Sequence, residues 1–329
     1  MDHPIRVTGL RKTYGTRAAV DGLDLEIRAG EVFALLGPNG AGKTTTVEVL
    51  EGFRRRDGGT VEVLGADPEG AGLAWRNRIG IVLQSSTGLD LITPREALTS
   101  TAKVYRTPRP VDEVLEAVGL ADKADDRIGR LSGGQRRRLD VGLGIVGSPE
   151  LLFLDEPTTG FDPQARRDFW GLISGLAGNG TTILLTTHYL DEAEHLADRV
   201  GVIAGGRMVA LDTPANLGGR AVSEATVTWE EPTGQRHTER TSTPTELVAR
   251  LSARLGGEVP ALTVTRPSLE DTYLSLIAPH LAGSGELPVD PTATEARGSA
   301  AGAADARGSA PGAADSDTAD SDTDLEVAR

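Results

Sequence analysis

The sequence predicts an α/β fold built around a mostly parallel sheet. Apolar runs of strand length, such as LLFL at 151–154, alternate along the chain with stretches of helical period. A glycine-rich turn, GPNGAGKT at 37–44, joins one of these strands directly to a helix. All apolar runs are far shorter than the roughly 20 residues that span a bilayer. We therefore expect a layered α/β core and a membrane role, if any, only through a partner.

Strands dominate the N-terminal part of this pattern. Residues 1–36 alternate in three stretches, IRVTGL, LDLEIRAG and EVFALLG, which predicts paired strands. A helix is predicted over TTVEVLEGF, and further strands over TVEVLG (60–65) and IGIVLQ (79–84).

A helical insert is predicted next, at about residues 90–146, because its segments have helical period and little β-branching. Its last helix is expected from Arg136 to Val146. The core then resumes with the strand LLFLDEP, a helix from about Gln164 to Ala177, the strand TTILLTTH and the helix LDEAEHLADR. A hairpin, VGVIAGGRMVAL, turns at Gly205–Gly206.

Two further segments follow the first 215 residues. Residues 216–282 hold three strand patterns and two helix patterns, which predicts a small α/β accessory domain. Residues 283–329 contain a near-repeat, ARGSAAGAAD and ARGSAPGAAD, and are acidic. We expect this tail to be disordered, because so few large apolar side chains cannot offset the entropy of ordering it. It is interpreted as a solubilising tail, with a tether or contact as the alternative.

Composition excludes several kinds of function. The chain has no cysteine, so it forms no disulfide and has no thiolate catalysis or zinc–thiolate site. The net charge of −14 argues against nonspecific nucleic-acid binding. Residues 286–329 carry ten of the acidic residues against three arginines, a net charge of −7.

The turn GPNGAGKT fits a phosphate-binding loop, G-x-x-x-x-G-K-[ST], in the strand-to-helix setting that this motif requires. Its glycines let backbone N–H groups wrap a phosphate, Lys43 adds positive charge, and Thr44 offers a hydroxyl to Mg²⁺. The residues predicted to bind nucleotide here are Gly37, Pro38, Asn39, Gly40, Ala41, Gly42, Lys43, Thr44 and Thr45.

Candidate catalytic side chains follow the predicted strands. LLFLDEP delivers Asp155 to the sheet edge as a Mg²⁺ ligand, and Glu156 beside it is the candidate general base. Gln84 is predicted to reach the Mg²⁺ or the attacking water. His188 is predicted to bond the γ-phosphate and fix that water. Tyr14 is a candidate for stacking on adenine, with core packing as the alternative.

A second glycine turn, LSGGQ at 131–135, precedes a helix and predicts a second anion site. It would be redundant if it faced its own phosphate loop, and it makes sense facing the loop of a second copy. Ser132, Gly133, Gly134 and Gln135 are therefore predicted to close on the nucleotide held by a partner chain. Asp162, in TTGFD, is the candidate link between the two sites.

Tyr14, GPNGAGKTT, Gln84, LSGGQ, LLFLDEP, TTGFD and His188 stand in the order typical of the ATP-binding cassette subunit of ABC transporters, which the chain resembles over about residues 4–215. SGGQRRRLD, FLDEPTTGFDP and RPSLEDTYL also resemble the drug-exporter branch typified by daunorubicin-resistance ATPases. Phe161 departs from the family, in which leucine is usual.

The resemblance implies a P-loop NTPase core with an antiparallel β subdomain and a helical subdomain. It further implies ATP and Mg²⁺ as ligands, a head-to-tail homodimer with ATP at its interface, and a separately encoded membrane permease. The chain would then be an ATPase on the inner face of the cell membrane that powers export of a drug-like or lipophilic compound. Two alternatives are a soluble ABC ATPase acting on ribosomes or DNA, and the ATPase subunit of an importer.

Overall fold

The structure is a computed structural model that describes residues 2–82, 89–231 and 233–281. Gln84 and the predicted tail at 283–329 lie outside the described residues. No helix within the described ranges is both long enough and apolar enough to cross a bilayer.

A three-stranded antiparallel sheet forms the first layer. It consists of β1 (Ile5–Tyr14), β2 (Arg17–Ile27) and β4 (Gly58–Val63), in the order β2-β1-β4. The prediction that all three N-terminal strands pair with one another was wrong for the third, β3 (Val32–Leu36), which joins the other sheet. Its five residues are all buried, as in a strand covered on both faces, whereas β1 alternates between buried and exposed residues.

The six-stranded central sheet has the order β5-β6-β7-β3-β8-β9. Its first five strands in that order run parallel, and β8 and β9 form an antiparallel hairpin. Gly205 and Gly206 turn this hairpin with φ of 57° and 76°, as predicted for a two-residue turn. The remaining strands are β5 (Ile79–Val82), β6 (Leu151–Asp155), β7 (Thr182–Thr186), β8 (Arg199–Ala204) and β9 (Arg207–Asp212).

The central sheet separates two hydrophobic cores. Side chains along a strand point alternately into one core and the other. In β6, Leu152 and Leu154 point into the core shared with the helical insert, whereas Leu151 and Phe153 point into the core shared with the antiparallel sheet. The helices that flank the sheet are α1 (Lys43–Leu50), α2 (Leu73–Arg76), α6 (Pro163–Gly178) and α7 (Leu190–Leu196).

The helical insert comprises α3 (Pro94–Ala102), α4 (Val111–Ala117) and α5 (Gly133–Ile145). Buried Leu98, Val114 and Leu139 place one residue of each helix in the first core. The predicted start of α5 at Arg136 was wrong, because the helix begins at Gly133. Ser132 and Gln135 form a reciprocal capping box there, which offsets the poor helix propensity of the two glycines.

The segment predicted as an accessory domain contains a sheet of order β11-β10-β12 and two helices. The amphipathic helix α8 covers one face of this sheet through Leu247 and Leu251. Helix α9 instead buries Leu269 and Ile277 in the first core of the cassette. The elements are β10 (Ala225–Glu230), β11 (Arg236–Thr241), α8 (Pro244–Leu255), β12 (Thr263–Thr265) and α9 (Leu269–Leu281).

Candidate nucleotide-binding and hydrolysis site

The predicted phosphate loop lies between the carboxyl end of β3 and the first turn of α1. Two of its glycines are required by close backbone approaches. A Cβ on Gly37 would lie 2.3 Å from the Ile203 carbonyl oxygen, and one on Gly42 would lie 2.3 Å from the Ala19 carbonyl oxygen. Gly42 also has a φ of 106°. Only glycine satisfies these positions without strain.

Lys43 is folded back into this loop. Its ammonium donates to the carbonyl oxygens of Gly37 at 2.6 Å and Pro38 at 3.2 Å, and only 8% of the residue is exposed. Burial lowers the pKa of Lys43, and the nearby carboxylates of Glu156 and Asp155 oppose that shift. The loop, the lysine and both acids therefore share one electrostatic site.

The three threonines that follow Lys43 differ in their surroundings. Thr46 is buried, and its hydroxyl donates to the Gly42 carbonyl at 2.9 Å, which makes it part of the helix start. Thr44 is exposed and Thr45 is half-buried. The hydroxyl predicted to reach Mg²⁺, that of Thr44, is thus the accessible one.

The carboxyl end of β6 holds the two predicted acids. The Thr186 hydroxyl, on the neighbouring strand β7, donates to Asp155 Oδ1. Glu156 leaves the strand with a φ of 43°, a left-handed conformation that non-glycine residues seldom adopt. Its backbone N–H donates to the Thr186 carbonyl at 3.0 Å. Because of this backbone conformation, the side chains of Asp155 and Glu156 leave the chain in different directions.

His188 lies beside Glu156. Its Nδ1 is 3.4 Å from Glu156 Oε2, and the Thr159 hydroxyl donates to the same oxygen, also at 3.4 Å. The His188 side chain is 45% exposed and that of Glu156 is 21% exposed. A water between them and a bound phosphate would meet one acceptor and one imidazole.

The LSGGQ motif forms the start of α5. Ser132 Oγ accepts the Gln135 N–H at 3.2 Å, and Gln135 Oε1 accepts the Ser132 N–H at 3.0 Å. Ser132 and Gly133 are exposed, and a Cβ on Gly133 would have no neighbour within 4 Å among the described residues. In that part of the chain, the helix N-terminus is open.

Asp162 and Tyr14 have local contacts in this chain. Asp162 Oδ1 accepts the backbone N–H groups of Gln164 at 2.9 Å and Ala165 at 2.8 Å, so it caps α6. Tyr14 ends β1 with 43% of its surface exposed, which excludes the core-packing alternative. Lys12 and Arg54 lie 5.7 and 5.3 Å from its ring centroid.

Phe161, the departure from the family pattern, is accommodated by an aromatic neighbour. Its ring meets that of buried Phe169 edge-on, with the centroids 5.7 Å apart and the planes at 85°. Such a T-shaped pair is a favourable aromatic geometry.

Arg137 is a site residue that no sequence motif singles out. This buried side chain donates from Nε to the Pro157 carbonyl at 2.9 Å and from an Nη to the Asp155 carbonyl at 2.8 Å. Burial lowers its pKa, against the opposing charges of Asp140, Asp155 and Glu192. Arg137 thereby ties the LSGGQ helix to the end of β6. The signal was present in the run RRR, but only the fold shows which arginine turns inward.

Glu192 is a second such residue, buried at the start of α7. Burial raises the pKa of its carboxyl. The side chains of Thr187, Thr158 and Trp170 and the positive charge of Arg166 oppose this shift only in part. The carboxyl therefore interacts with Thr187, which precedes His188, and with Thr158, which follows Glu156 by two residues.

The donor set fits a Mg²⁺ ion that takes most of its ligands from substrate and water. Within the described ranges, no group of three or more His, Asp or Glu side chains could hold a metal alone. Such an ion needs few ligands from the protein in addition to phosphate oxygens. Asp155 offers one carboxylate and Thr44 offers one accessible hydroxyl. Gln84, the third predicted ligand, lies outside the described residues.

Comparisons with known proteins identify the family to which the chain is similar. The ABC transporter family model matches residues 20–159. A daunorubicin resistance ATP-binding protein of Streptomyces coeruleorubidus is 44% identical over 221 residues, which cover 66% of this chain and 70% of the relative. A Nod factor export ATP-binding protein I of Ralstonia nicotianae is 42% identical over 218 residues, 65% of this chain and 68% of the relative.

Solved structures show the same fold. A crystal structure of the ADP conformation of an ATP-binding cassette of an ABC transporter matches with a TM-score of 0.58 at 26% identity. The match covers 65% of this chain and 92% of that chain.

Proposed function

The chain belongs to the ABC transporter family of ATP-binding proteins, and from that premise we propose that it hydrolyses ATP to ADP and phosphate to power a separate membrane permease. The observation that carries the proposal is the pairing of Glu156 with His188 at 3.4 Å, at the end of the strand beside the buried Lys43. A carboxylate next to an imidazole can take a proton from water and orient it for attack.

The roles of the site residues follow from their positions. Lys43 exchanges its two carbonyl partners for phosphate oxygens when ATP binds, and the backbone of residues 37–42 wraps the same phosphates. Glu156 accepts the proton of the attacking water, and His188 holds the γ-phosphate and the water in line. Thr44, Asp155 and Gln84 would hold Mg²⁺, which supplies charge neutralisation at the phosphates. Tyr14 stacks on the adenine.

The compound moved is proposed to be drug-like, antibiotic-like or lipophilic, and the direction outward. Relatives named for daunorubicin resistance and for Nod factor export support this class. The permease is proposed to be another protein, which this ATPase meets on the inner face of the cell membrane, since the relatives are named as ATP-binding proteins of resistance and export. The proposed domain boundaries remain 1–215, 216–282 and 283–329.

A head-to-tail homodimer completes the proposed site. The N-terminus of α5 offers Ser132, Gly133, Gly134 and Gln135 to an anion, and no described residue lies within 4 Å of a Cβ on Gly133. A second copy would bring its γ-phosphate there, with Asp162 near the contact between the sites. Loss of that phosphate on hydrolysis would remove the contact and reopen the dimer.

The Ser132→Ala variant tests the dimer contact. We expect hydrolysis to fall by about 10-fold or more, since a charge-assisted hydrogen bond to phosphate is lost, while ATP binding to the monomer stays near normal. Loss of the N-cap also costs about 1 kcal/mol of stability. Thr93→Ala is the matched control, because Thr93 forms the same capping box with Glu96 on α3. Equal loss of hydrolysis in both variants would assign the effect to capping alone.

Affinity purification of this chain from its native host, after mild cross-linking, tests the transport function. We expect an integral membrane protein to co-purify and to stimulate the ATPase activity when the two are reconstituted in vesicles. Recovery with only ribosomes, nucleic acid or soluble proteins would contradict the transporter assignment and support the soluble-ATPase alternative.

A further inference from the structure

Four side chains form a row from helix α6 to the proposed catalytic carboxylate. The Arg166 guanidinium carbon lies 4.2 Å from the centroid of the Tyr189 ring. The Tyr189 ring lies 4.0 Å, centroid to centroid, from the His188 imidazole and is tilted by 39°. His188 Nδ1 then lies 3.4 Å from Glu156 Oε2.

The far end of the row is anchored. Arg166 donates to Asp191 Oδ2 at 3.1 Å, and its side chain is only 20% exposed. Its backbone N–H donates to the carbonyl of Asp162, the residue that caps α6. The guanidinium is therefore fixed relative to the first turn of α6, which follows the turn proposed to face the second copy.

The near end of the row needs such support. His188 is nearly half exposed, and 3.4 Å from Glu156 is long for a hydrogen bond, so this contact alone holds the imidazole weakly. An aromatic ring against the imidazole removes rotamer freedom that the side chain would otherwise keep. A cation over that aromatic ring in turn holds the ring in place.

We propose that Tyr189 and Arg166 are positioning residues for hydrolysis, which hold the imidazole of His188 in its orientation toward Glu156 and the γ-phosphate. The inference rests on the roles proposed above for Glu156 and His188. It assigns no contact with ATP to either positioning residue. The row also gives a physical route from the first turn of α6 to the hydrolysis site.

Steady-state ATPase kinetics on the full-length chain test the row. For Tyr189→Leu and Arg166→Gln we expect kcat to fall about 3- to 10-fold, the scale of one lost cation–π or ring contact, while KM for ATP stays within about twofold. Tyr189→Phe and Arg166→Lys should recover most of the rate, because they keep the ring and the cation. Arg167→Gln is the control, because it removes a neighbouring charge on the same helix. The Arg167 side chain donates to Gln164 instead of lying over the Tyr189 ring.

Histidine-selective NMR gives a readout that a purely structural role would not move. The chain has five histidines, and the His188 signal is assigned by its loss in His188→Gln. The Tyr189 ring current should shift that signal in the wild type and in Tyr189→Phe. The shift should disappear in Tyr189→Leu and decrease in Arg166→Gln.

The possible outcomes separate this inference from the proposed function. If His188→Ala loses turnover but Tyr189→Leu and Arg166→Gln keep it, the inference is wrong and the hydrolysis roles stand. If Glu156→Gln and His188→Ala both turn over normally, the proposed function itself is wrong. A rate loss in Tyr189→Leu with an unmoved His188 signal, or an equal loss in Tyr189→Phe, would also overturn the inference.

Discussion

Glu156→Gln is expected to abolish steady-state turnover while leaving ATP binding intact. The amide is isosteric with the carboxylate but cannot accept a proton from water, and general-base catalysis of this kind contributes about 100- to 10,000-fold. The left-handed backbone at Glu156, set by its N–H bond to the Thr186 carbonyl, does not depend on the side chain. The variant should therefore fold and bind nucleotide as the wild type does. Phosphate release and ATP affinity, measured on the same preparation, check both parts.

Glu246→Gln is the matched control for this variant. Glu246 is an exposed residue in the first turn of α8, so the same chemical change there should leave phosphate release unchanged. If Glu156 is the general base, the ATP-bound form of Glu156→Gln should also accumulate as a dimer, because the γ-phosphate that joins the two chains persists. Near-normal phosphate release by Glu156→Gln would rule out the general-base role.

The parts of the fold that the sequence predicts are those governed by neighbouring residues. LLFL is apolar throughout because both faces of β6 are buried, and the turn at Gly205–Gly206 fits the two-residue hairpin. The choice of sheet for β3 depends on distant partners instead: it pairs with β7 and β8, some 150 residues away along the chain. The continuous apolar run VFALL indicates a strand covered on both faces, but it does not identify those distant partners.

The site shows the same division. The phosphate loop, Asp155 and Glu156 are predictable because each lies at the carboxyl end of a strand, and parallel strands end at one edge of the sheet. The contacts of Arg137 and Arg166 are not predictable, since other arginines adjoin each in the sequence. Which side chain turns toward the carbonyls of Asp155 and Pro157, or over the Tyr189 ring, depends on helix rotation in the packed fold.

Lys43→Ala is expected to weaken ATP binding by about 10- to 100-fold, the equivalent of one charge-assisted phosphate contact, and to abolish turnover with it. The ammonium bonds two loop carbonyls in a buried position that lowers the pKa of Lys43. When ATP binds, anionic phosphate oxygens would replace these neutral carbonyl oxygens around the ammonium. The buried positive charge then gains negative partners, so Lys43 stabilises the ATP-bound form. Titration of the chain with a fluorescent ATP analogue measures the affinity.

Lys103→Ala is the control for charge removal, since Lys103 is exposed at the end of α3. It should bind the ATP analogue as the wild type does.

The thermal unfolding midpoint of Lys43→Ala separates a lost contact from a collapsed loop. Deleting the ammonium leaves the Gly37 and Pro38 carbonyls without that donor but also removes a buried charge, and these effects oppose each other. We therefore expect a small change in midpoint beside a large loss of affinity. Unchanged affinity would contradict the assignment of residues 37–44 as the phosphate loop.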